Sequence, residues 1–234
     1  MLCIRSERLS TVRAWPVLRL TAWSLVSLLG LVACTPSRSY KIDQAATPRF
    51  KPQNFYHIGL PYYLKRVVVL PIYYSAEQGA FLETMDEVFA SELTRNGLFE
   101  VVPLSRQTLA YHFKEPQLPA TGVMPPGFIE ILQENYQAQG ALLIDLTYYK
   151  PYPPLALGLR AKLLNLRTQQ LIWAFDCLLD AGSPSVAAAA RHFEKYYNRK
   201  ASAIHIHDLI LKNPNAFSKY AAFSMFRTLR KPQR

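Results

Sequence analysis

The stretch 141–178 reads ALLIDLTYYKPYPPLALGLRAKLLNLRTQQLIWAFDCL, and it determines the class of the fold. Its apolar runs predict three strands, at 141–149, 155–163 and 169–178. The first run is continuous, whereas the second alternates apolar residues with Arg160 and Lys162 and therefore predicts one face towards water. Short turns separate the runs, so neighbouring strands can pair antiparallel. We therefore expect a meander of three strands here.

The chain before this stretch alternates strand patterns with a helix pattern. RVVVLPI at 66–72 is typical of a strand buried on both faces, and LFEVV at 98–102 predicts a second strand. Between them, 79–96 has apolar residues at helical spacing and ends in Asn96-Gly97, a common helix stop. Ser105 is a suitable N-cap for a further short helix. This order is typical of a strand–helix–strand unit with parallel strands.

The middle and the end of the chain add helices to this unit. KEPQLPATGVMPPG at 114–127 predicts a long surface loop, and a helix from Phe128 follows it. After the meander we expect a helix at about 185–198 and another after Asn213-Pro214, both covering a face of the sheet. The order β-α-β-α-β-β-β plus C-terminal helices predicts a single, three-layer-like α/β domain with a mixed sheet.

The order of the motifs resembles a known domain. VVVLPI, LFEVVPLSR, QGALLIDLTYY and NLRTQQLIWAFD follow one another over about residues 66–178. This is similar to the domain shared by curli-secretion-type (CsgG-like) lipoproteins, LpoB-like activators of penicillin-binding proteins and the N-terminal part of TolB. The resemblance implies a periplasmic, non-enzymatic adaptor fold that contacts partner proteins. A curli-type pore is not expected, because the sequence has no spare alternating hairpin with strands of about 9–11 residues.

A lipoprotein signal is predicted near the N-terminus. Leu31-Val32-Ala33-Cys34 matches a lipobox and closes the apolar run 20–33, which arginines precede. This run is shorter than the roughly 20 residues needed to span a bilayer. We therefore expect cleavage between Ala33 and Cys34 and a lipid such as palmitate on Cys34. The alternatives are an uncleaved signal anchor with an incidental cysteine, or a buried core helix.

The lipobox divides the chain into four predicted segments. These are a signal peptide at 1–33, a lipidated N-terminus and flexible linker at 34–56, the α/β domain at 57–180, and a basic helical extension at 181–234 that packs on the domain. Thr35, where an aspartate usually marks inner-membrane lipoproteins, favours the outer membrane, with the protein facing the periplasm. Cys177 would be the one cysteine left in the domain, and its apolar context predicts a buried, inert thiol rather than a reactive nucleophile.

Positive charge is concentrated in the C-terminal segment. Residues 190–234 contain ten lysines and arginines against Glu194 and Asp208, a net charge of +8 in a chain whose net charge is +11. An anionic lipid or glycan suits this charge, and a solvated helical face is the alternative. Nucleic acid does not suit the compartment. The candidate partner-binding residues are Arg191, Lys195, Arg199 and Lys200.

The sequence offers little catalytic chemistry. It contains no GxSxG, HExxH or P-loop motif, so we expect no enzyme activity and no cofactor. His205 and His207 are weak metal-ligand candidates, because no distant Cys or Glu cluster completes a set. Acidic residues near strand ends are expected in turns and caps: Asp145, Asp176 and Asp180. Tyrosine and proline stretches could form a contact surface or pack beside strand ends: 73–74, 148–149 and 152–155.

Together these features predict a lipid-anchored periplasmic interaction protein. Its role would be that of a scaffold or activator in envelope assembly or secretion, bound to the membrane through Cys34 and to another envelope protein. The alternative is a cell-wall-associated enzyme or a ligand-binding lipoprotein.

Overall fold

The computed structural model describes residues 49–76, 79–197 and 208–229. The elements in chain order are β1 Phe55–His57, β2 Arg66–Val69, α1 Phe81–Asn96, β3 Glu100–Pro103, α2 Arg106–Phe113, α3 Phe128–Tyr136, β4 Gly140–Lys150, β5 Ala156–Asn165, β6 Leu171–Asp180, α4 Pro184–Tyr197, a 3₁₀ turn Leu209–Leu211 and α5 Pro214–Phe226. The predicted lipobox, signal peptide and metal ligands His205 and His207 lie outside the described residues, as do Arg199 and Lys200.

The strands form one mixed sheet in the order β1-β6-β5-β4-β2-β3. Strand β2 is parallel to both β3 and β4, whereas β4, β5 and β6 form an antiparallel meander. The predicted α/β class and mixed sheet are therefore confirmed.

Local signals explain where the helices begin and end. The Oγ of Ser105 accepts a hydrogen bond from the Thr108 amide, and the side chain of Asn213 caps α5 in the same way. Gly97 ends α1 with a positive φ of 67°, a conformation in which glycine avoids the strain of a side chain.

Helices α1, α4 and α5 cover one face of the sheet and build the larger core. Aromatic rings fill it, among them Phe89 of α1, Trp173 and Phe175 of β6, and Phe226 of α5, each at most 1% exposed. Trp173 also donates its indole N–H to Thr228 Oγ1 at 2.9 Å, so the chain after α5 is fixed to the sheet. The prediction that the C-terminal helices cover a sheet face agrees with this packing.

Helices α2 and α3 cover part of the opposite face and enclose a second, smaller core. Leu109 of α2 and Leu132 of α3 pack there against Val68 of β2 and Leu143 of β4. The three-layer arrangement therefore holds at the β3–β2–β4 side of the sheet.

The predicted linker extends too far. It was expected to continue to Tyr56, but Phe55–His57 is β1, which pairs antiparallel with β6 so that Phe55 lies opposite Phe175. A segment of three residues is too short to give a clear strand signal in the sequence. The strand forms because the edge of β6 offers it hydrogen-bond partners that are distant in sequence.

The Pro-rich stretch 114–127 is more than a surface loop. Leu118 and Ala120 are each 5% exposed and belong to the smaller core, and the Ala120 amide donates to Asp145 Oδ1 at 2.7 Å. The expectation of a surface insertion is wrong for these residues, because the loop closes the end of the core that α2 and α3 leave open.

Candidate functional site

In α/β proteins the carboxyl ends of parallel strands often hold the active site. Here that edge contains an ion pair in which Arg106 of α2 donates to Asp86 of α1 at 2.9 Å. Arg106 also donates to the Ile72 carbonyl at 2.9 Å and to Gln117 Oε1 at 3.0 Å, while the Ile72 amide donates to Asp86 at 2.7 Å. These bonds connect α1, α2, the end of β2 and the Pro-rich stretch, so the pair acts as a structural clamp.

Burial disfavours the charged form of the Asp86 side chain. Desolvation raises its pKa to about 6, even though the Ile72 amide and the Arg106 guanidinium favour the charged form. The folded protein therefore holds this proton more tightly than the unfolded chain, in which an aspartate has a pKa of about 3.9.

We expect Asp86 to make the protein less stable as the pH rises from about 4 to about 6. A pKa raised by about two units corresponds to a loss of roughly 2–3 kcal/mol in the free energy of unfolding over this range. Urea denaturation of the wild type and of Asp86→Asn at pH 4, 5, 6 and 7 measures the effect. The difference in unfolding free energy between the two proteins should change with pH, and parallel profiles would contradict the assignment.

The other acidic residues singled out in the sequence have structural partners. Asp145 accepts from the Ala120 amide, Asp176 pairs with Arg160 at 2.7 Å, and Asp180 accepts from the Gly182 amide at 2.7 Å. Burial raises the pKa of Asp145, while the Ala120 amide and Arg160 oppose the shift. The expectation of a turn or strand-end role is confirmed for Asp180 and is wrong for Asp145 and Asp176, which lie in the middle of β4 and β6.

The tyrosine stretches divide between packing and exposure. Tyr149 stacks on Phe81 with 4.5 Å between ring centroids, and Tyr74 meets both rings edge-on. Tyr148 and Tyr152 are instead 50% and 75% exposed. Packing is therefore confirmed for Tyr74 and Tyr149, and a contact surface stays a prediction for Tyr148 and Tyr152.

A β-bulge immediately precedes the two neighbouring tyrosines of β4. Leu146 pairs with Leu159 and Tyr148 with Gly158, so Thr147 is an extra residue on β4. Alternation shifts by one at this point, so Tyr149 shares the core face of Leu146 and Tyr148 lies on the opposite face. A Cβ on Gly158 would lie 2.5 Å from Thr147 Oγ1 and 2.9 Å from Tyr148 Cβ, so glycine is required opposite the bulge.

The face that carries Tyr148 is not covered by a described helix over β5, β6 and β1. Tyr148, Gly158 and Leu178 lie in register across three strands, and Leu178 is 55% exposed. The next row along the strands contains the Arg160–Asp176 pair, whose side chains are 40% and 45% exposed. We call this surface, with Tyr56 of β1 at its edge, the outer sheet face.

A second surface feature is a cleft of about 410 Å³ between the first described residues and helices α4 and α5. We call it the basic cleft. Its aromatic walls come from Phe50, Phe55, Phe193, Tyr197 and Phe223, and its cations are Arg49, Lys51 and Arg227. None of the described residues that line it is acidic. His192 lies among these cations, and its pKa is lowered by partial burial and by Arg49, Arg227 and Lys195.

Two of the four candidate partner-binding residues can be placed. Arg191 forms an ion pair with Asp208, so its charge is already compensated. Lys195 lies over the Tyr196 ring, 5.2 Å from its centroid, on the same helix as the wall of the basic cleft. Arg49 and Lys51 were missed at the sequence level, because they lie about 140 residues before α4 and meet it only in the fold.

Three further sequence expectations concern single features. Cys177 is a free thiol that is half-buried, and desolvation raises its pKa, as expected of an unreactive cysteine although its burial is incomplete. Among residues 49–76, 79–197 and 208–229, no group of three His, Cys, Asp or Glu side chains could hold a metal ion. No helix within these ranges is long and apolar enough to cross a bilayer.

Comparison with known proteins gives similarity of fold at low identity. No protein-family model matches the chain, and no curated protein matches it. Among solved structures, lipoprotein GNA1162 from Neisseria meningitidis is 16% identical with a TM-score of 0.38, covering 59% of this chain and 98% of that one. The LpoB C-terminal domain from Salmonella enterica is 21% identical with a TM-score of 0.33, covering 49% and 82%.

TolB from Acinetobacter baumannii is also similar, at 12% identity and a TM-score of 0.28, covering 63% of this chain and 31% of that one. Two names from the sequence resemblance, LpoB and TolB, are thus among the similar structures, together with a lipoprotein. Likeness at this level gives no information on activity or partners, which depend on individual side chains.

Proposed function

We propose that this chain is a lipid-anchored protein of the bacterial envelope that works by binding another envelope protein, as a scaffold or activator and not as an enzyme. The observation that carries the proposal is the outer sheet face. Tyr148 and Leu178 are large, exposed and in one cross-strand row.

The composition of the outer sheet face suits a protein partner. Aromatic residues and arginine are enriched in protein interfaces, and a polar rim usually surrounds an apolar centre. The row of Tyr148 and Leu178 supplies the apolar part, and the half-exposed Arg160–Asp176 pair supplies a polar neighbour with compensated charge. This surface therefore favours a partner that buries a small apolar patch.

The lipobox supports the location. If Cys34 carries the lipid, 14 residues lie between it and Arg49, where the described domain begins. Such a stretch reaches at most about 50 Å when fully extended, so the domain would begin within that distance of the membrane surface. The outer membrane, with the domain facing the periplasm, is the location that we favour.

Leu178→Asp should abolish capture of the partner while leaving the domain folded. The side chain is 55% exposed, so the charge should change stability by no more than about 0.5 kcal/mol, but it places an unpaired carboxylate in the apolar row. Cross-linking in living cells followed by affinity purification of the tagged, full-length chain measures the capture.

Val123→Asp is the matched control, because Val123 is 98% exposed and lies in the Pro-rich stretch. The expected result is one envelope protein that is captured by the wild type and by Val123→Asp and is lost with Leu178→Asp. Equal capture by all three proteins would contradict the assignment of this face.

A further inference from the structure

We propose that the basic cleft binds a phosphate group attached to an apolar body, as in an anionic lipid with a small headgroup. The inference uses the proposed function only for the nearby membrane that a lipid on Cys34 would provide. The site is separate from the outer sheet face, so the two can be tested independently.

The charge of the basic cleft is uncompensated among the described residues. Arg49, Lys51 and Arg227 all line it, and none of them forms an ion pair with a residue that the structure describes. Three cations around one cavity of about 410 Å³ attract a dianion more strongly than a single carboxylate. Arginine adds a planar pair of donors that matches phosphate oxygens.

The Arg227 side chain, and the backbone that carries Arg49 and Lys51, are held in place before any ligand arrives. Arg227 lies over the Phe223 ring, 5.3 Å from its centroid, and its backbone amide closes the last turn of α5. Arg49 and Lys51 flank Phe50, whose amide donates to the Ser185 carbonyl at 3.0 Å. This bond attaches the residues around Phe50 to the start of α4. The backbone of Arg49 and Lys51 is therefore already in position beside the cleft.

The rest of the cleft is aromatic and concave. Phe193 and Tyr197 of α4 each lie 4.7 Å from the Phe223 ring of α5, measured between centroids. These rings are in contact, so they form a continuous apolar wall of the cleft, against which the apolar part of a ligand would pack. Cavities of roughly 300–1,000 Å³ with few polar groups are typical of small-molecule sites.

The sequence on either side of the described residues has the same sign of charge. Arg199 and Lys200 follow Tyr197 within three residues, and Arg230 and Lys231 follow Leu229 directly. Tyr197 and Thr228 line the cleft, and these cations are close to them in the sequence. The described cations Arg49, Lys51 and Arg227 favour an anion over a neutral amphiphile.

The test is titration of the full-length chain in a nonionic detergent with four water-soluble probes. These are dihexanoyl phosphatidic acid, dihexanoyl phosphatidylcholine, inorganic phosphate and a uronic-acid oligosaccharide. We expect saturable binding of phosphatidic acid, at least tenfold weaker binding of the other three, and an increase in the His192 pKa, followed by NMR of its ring protons. The increase is expected because the ligand would compensate the cations that lower this pKa.

The variant Lys51→Gln/Arg227→Gln should weaken phosphatidic acid binding by at least tenfold and remove the change at His192. Lys65→Gln, which removes an exposed cation outside the cleft, is the control and should bind like the wild type. The proposal would be overturned if the variant and the control lost phosphatidic acid binding equally, or if the wild type showed no saturable binding of phosphatidic acid.

The probes separate the remaining possibilities. Equal binding of inorganic phosphate would overturn the need for an apolar body, and tighter binding of the oligosaccharide would identify an acidic glycan as the ligand instead. If the cleft binds none of the probes, the Leu178-dependent capture of a protein partner is not affected. The two experiments therefore distinguish failure of this proposal from failure of the proposed function.

Discussion

Arg106→Ala is expected to lower the free energy of unfolding by about 3–5 kcal/mol at pH 7. The Arg106 and Asp86 side chains are only 15% and 21% exposed, so the substitution leaves a largely buried carboxylate without its cation. It also removes the donor to the Ile72 carbonyl and to Gln117, which attaches the Pro-rich stretch. Urea denaturation followed by circular dichroism measures the loss.

The pH dependence identifies the cause of this loss. Arg106 favours the charged form of Asp86, so its removal should raise the pKa of Asp86 further above about 6. Protonation then relieves the unpaired charge, and we expect a smaller loss at pH 5 than at pH 7. Arg160→Ala is the control, because its pair with Asp176 is 40% and 45% exposed and should contribute no more than about 1 kcal/mol. If the two substitutions lowered the free energy of unfolding equally, the Arg106–Asp86 pair would not act as a structural clamp.

Cys34→Ser is expected to abolish lipid attachment completely. The thiol of Cys34 would be the acceptor of the lipid, and a serine hydroxyl does not replace it, so the unprocessed chain with residues 1–33 should accumulate. Labelling of cells with a radioactive or alkyne-bearing palmitate, followed by electrophoresis, measures both the lipid and the size of the chain.

Cys177→Ser is the control for Cys34→Ser. Cys177 is the one free cysteine in the described part of the chain, and the control should keep both the label and the mature size. Labelled protein of mature size from Cys34→Ser would show that the lipobox prediction is wrong. An uncleaved anchor would instead give one unlabelled size for every variant.

Features specified by neighbouring residues could be predicted from the sequence. The cap at Ser105, the helix stop at Gly97 and the cap at Asn213 all act within one helical turn, and the structure has each of them as expected. The meander 140–180 was also predictable, since short connections leave little choice of pairing.

Features that depend on distant residues could not be predicted. Strand β1 exists because Phe55 meets Phe175 across 120 residues of chain, and the basic cleft combines residues near Arg49 with others near Arg227. No local pattern contains either pairing. The burial of Leu118 was hidden for a related reason, since prolines and glycine around it indicate a loop without saying what the loop covers.

The bulge at Thr147 lets the outer sheet face tolerate a change in the length of β4. Because Thr147 is the extra residue, deleting it would restore a regular ladder in which Tyr148 still pairs with Gly158 and Tyr149 with Leu157. If Thr147 were instead paired in a regular strand, Tyr148 would turn inward and the Tyr149 ring that stacks on Phe81 would become exposed. The gain or loss of this one codon can therefore occur without changing which side chains the surface presents.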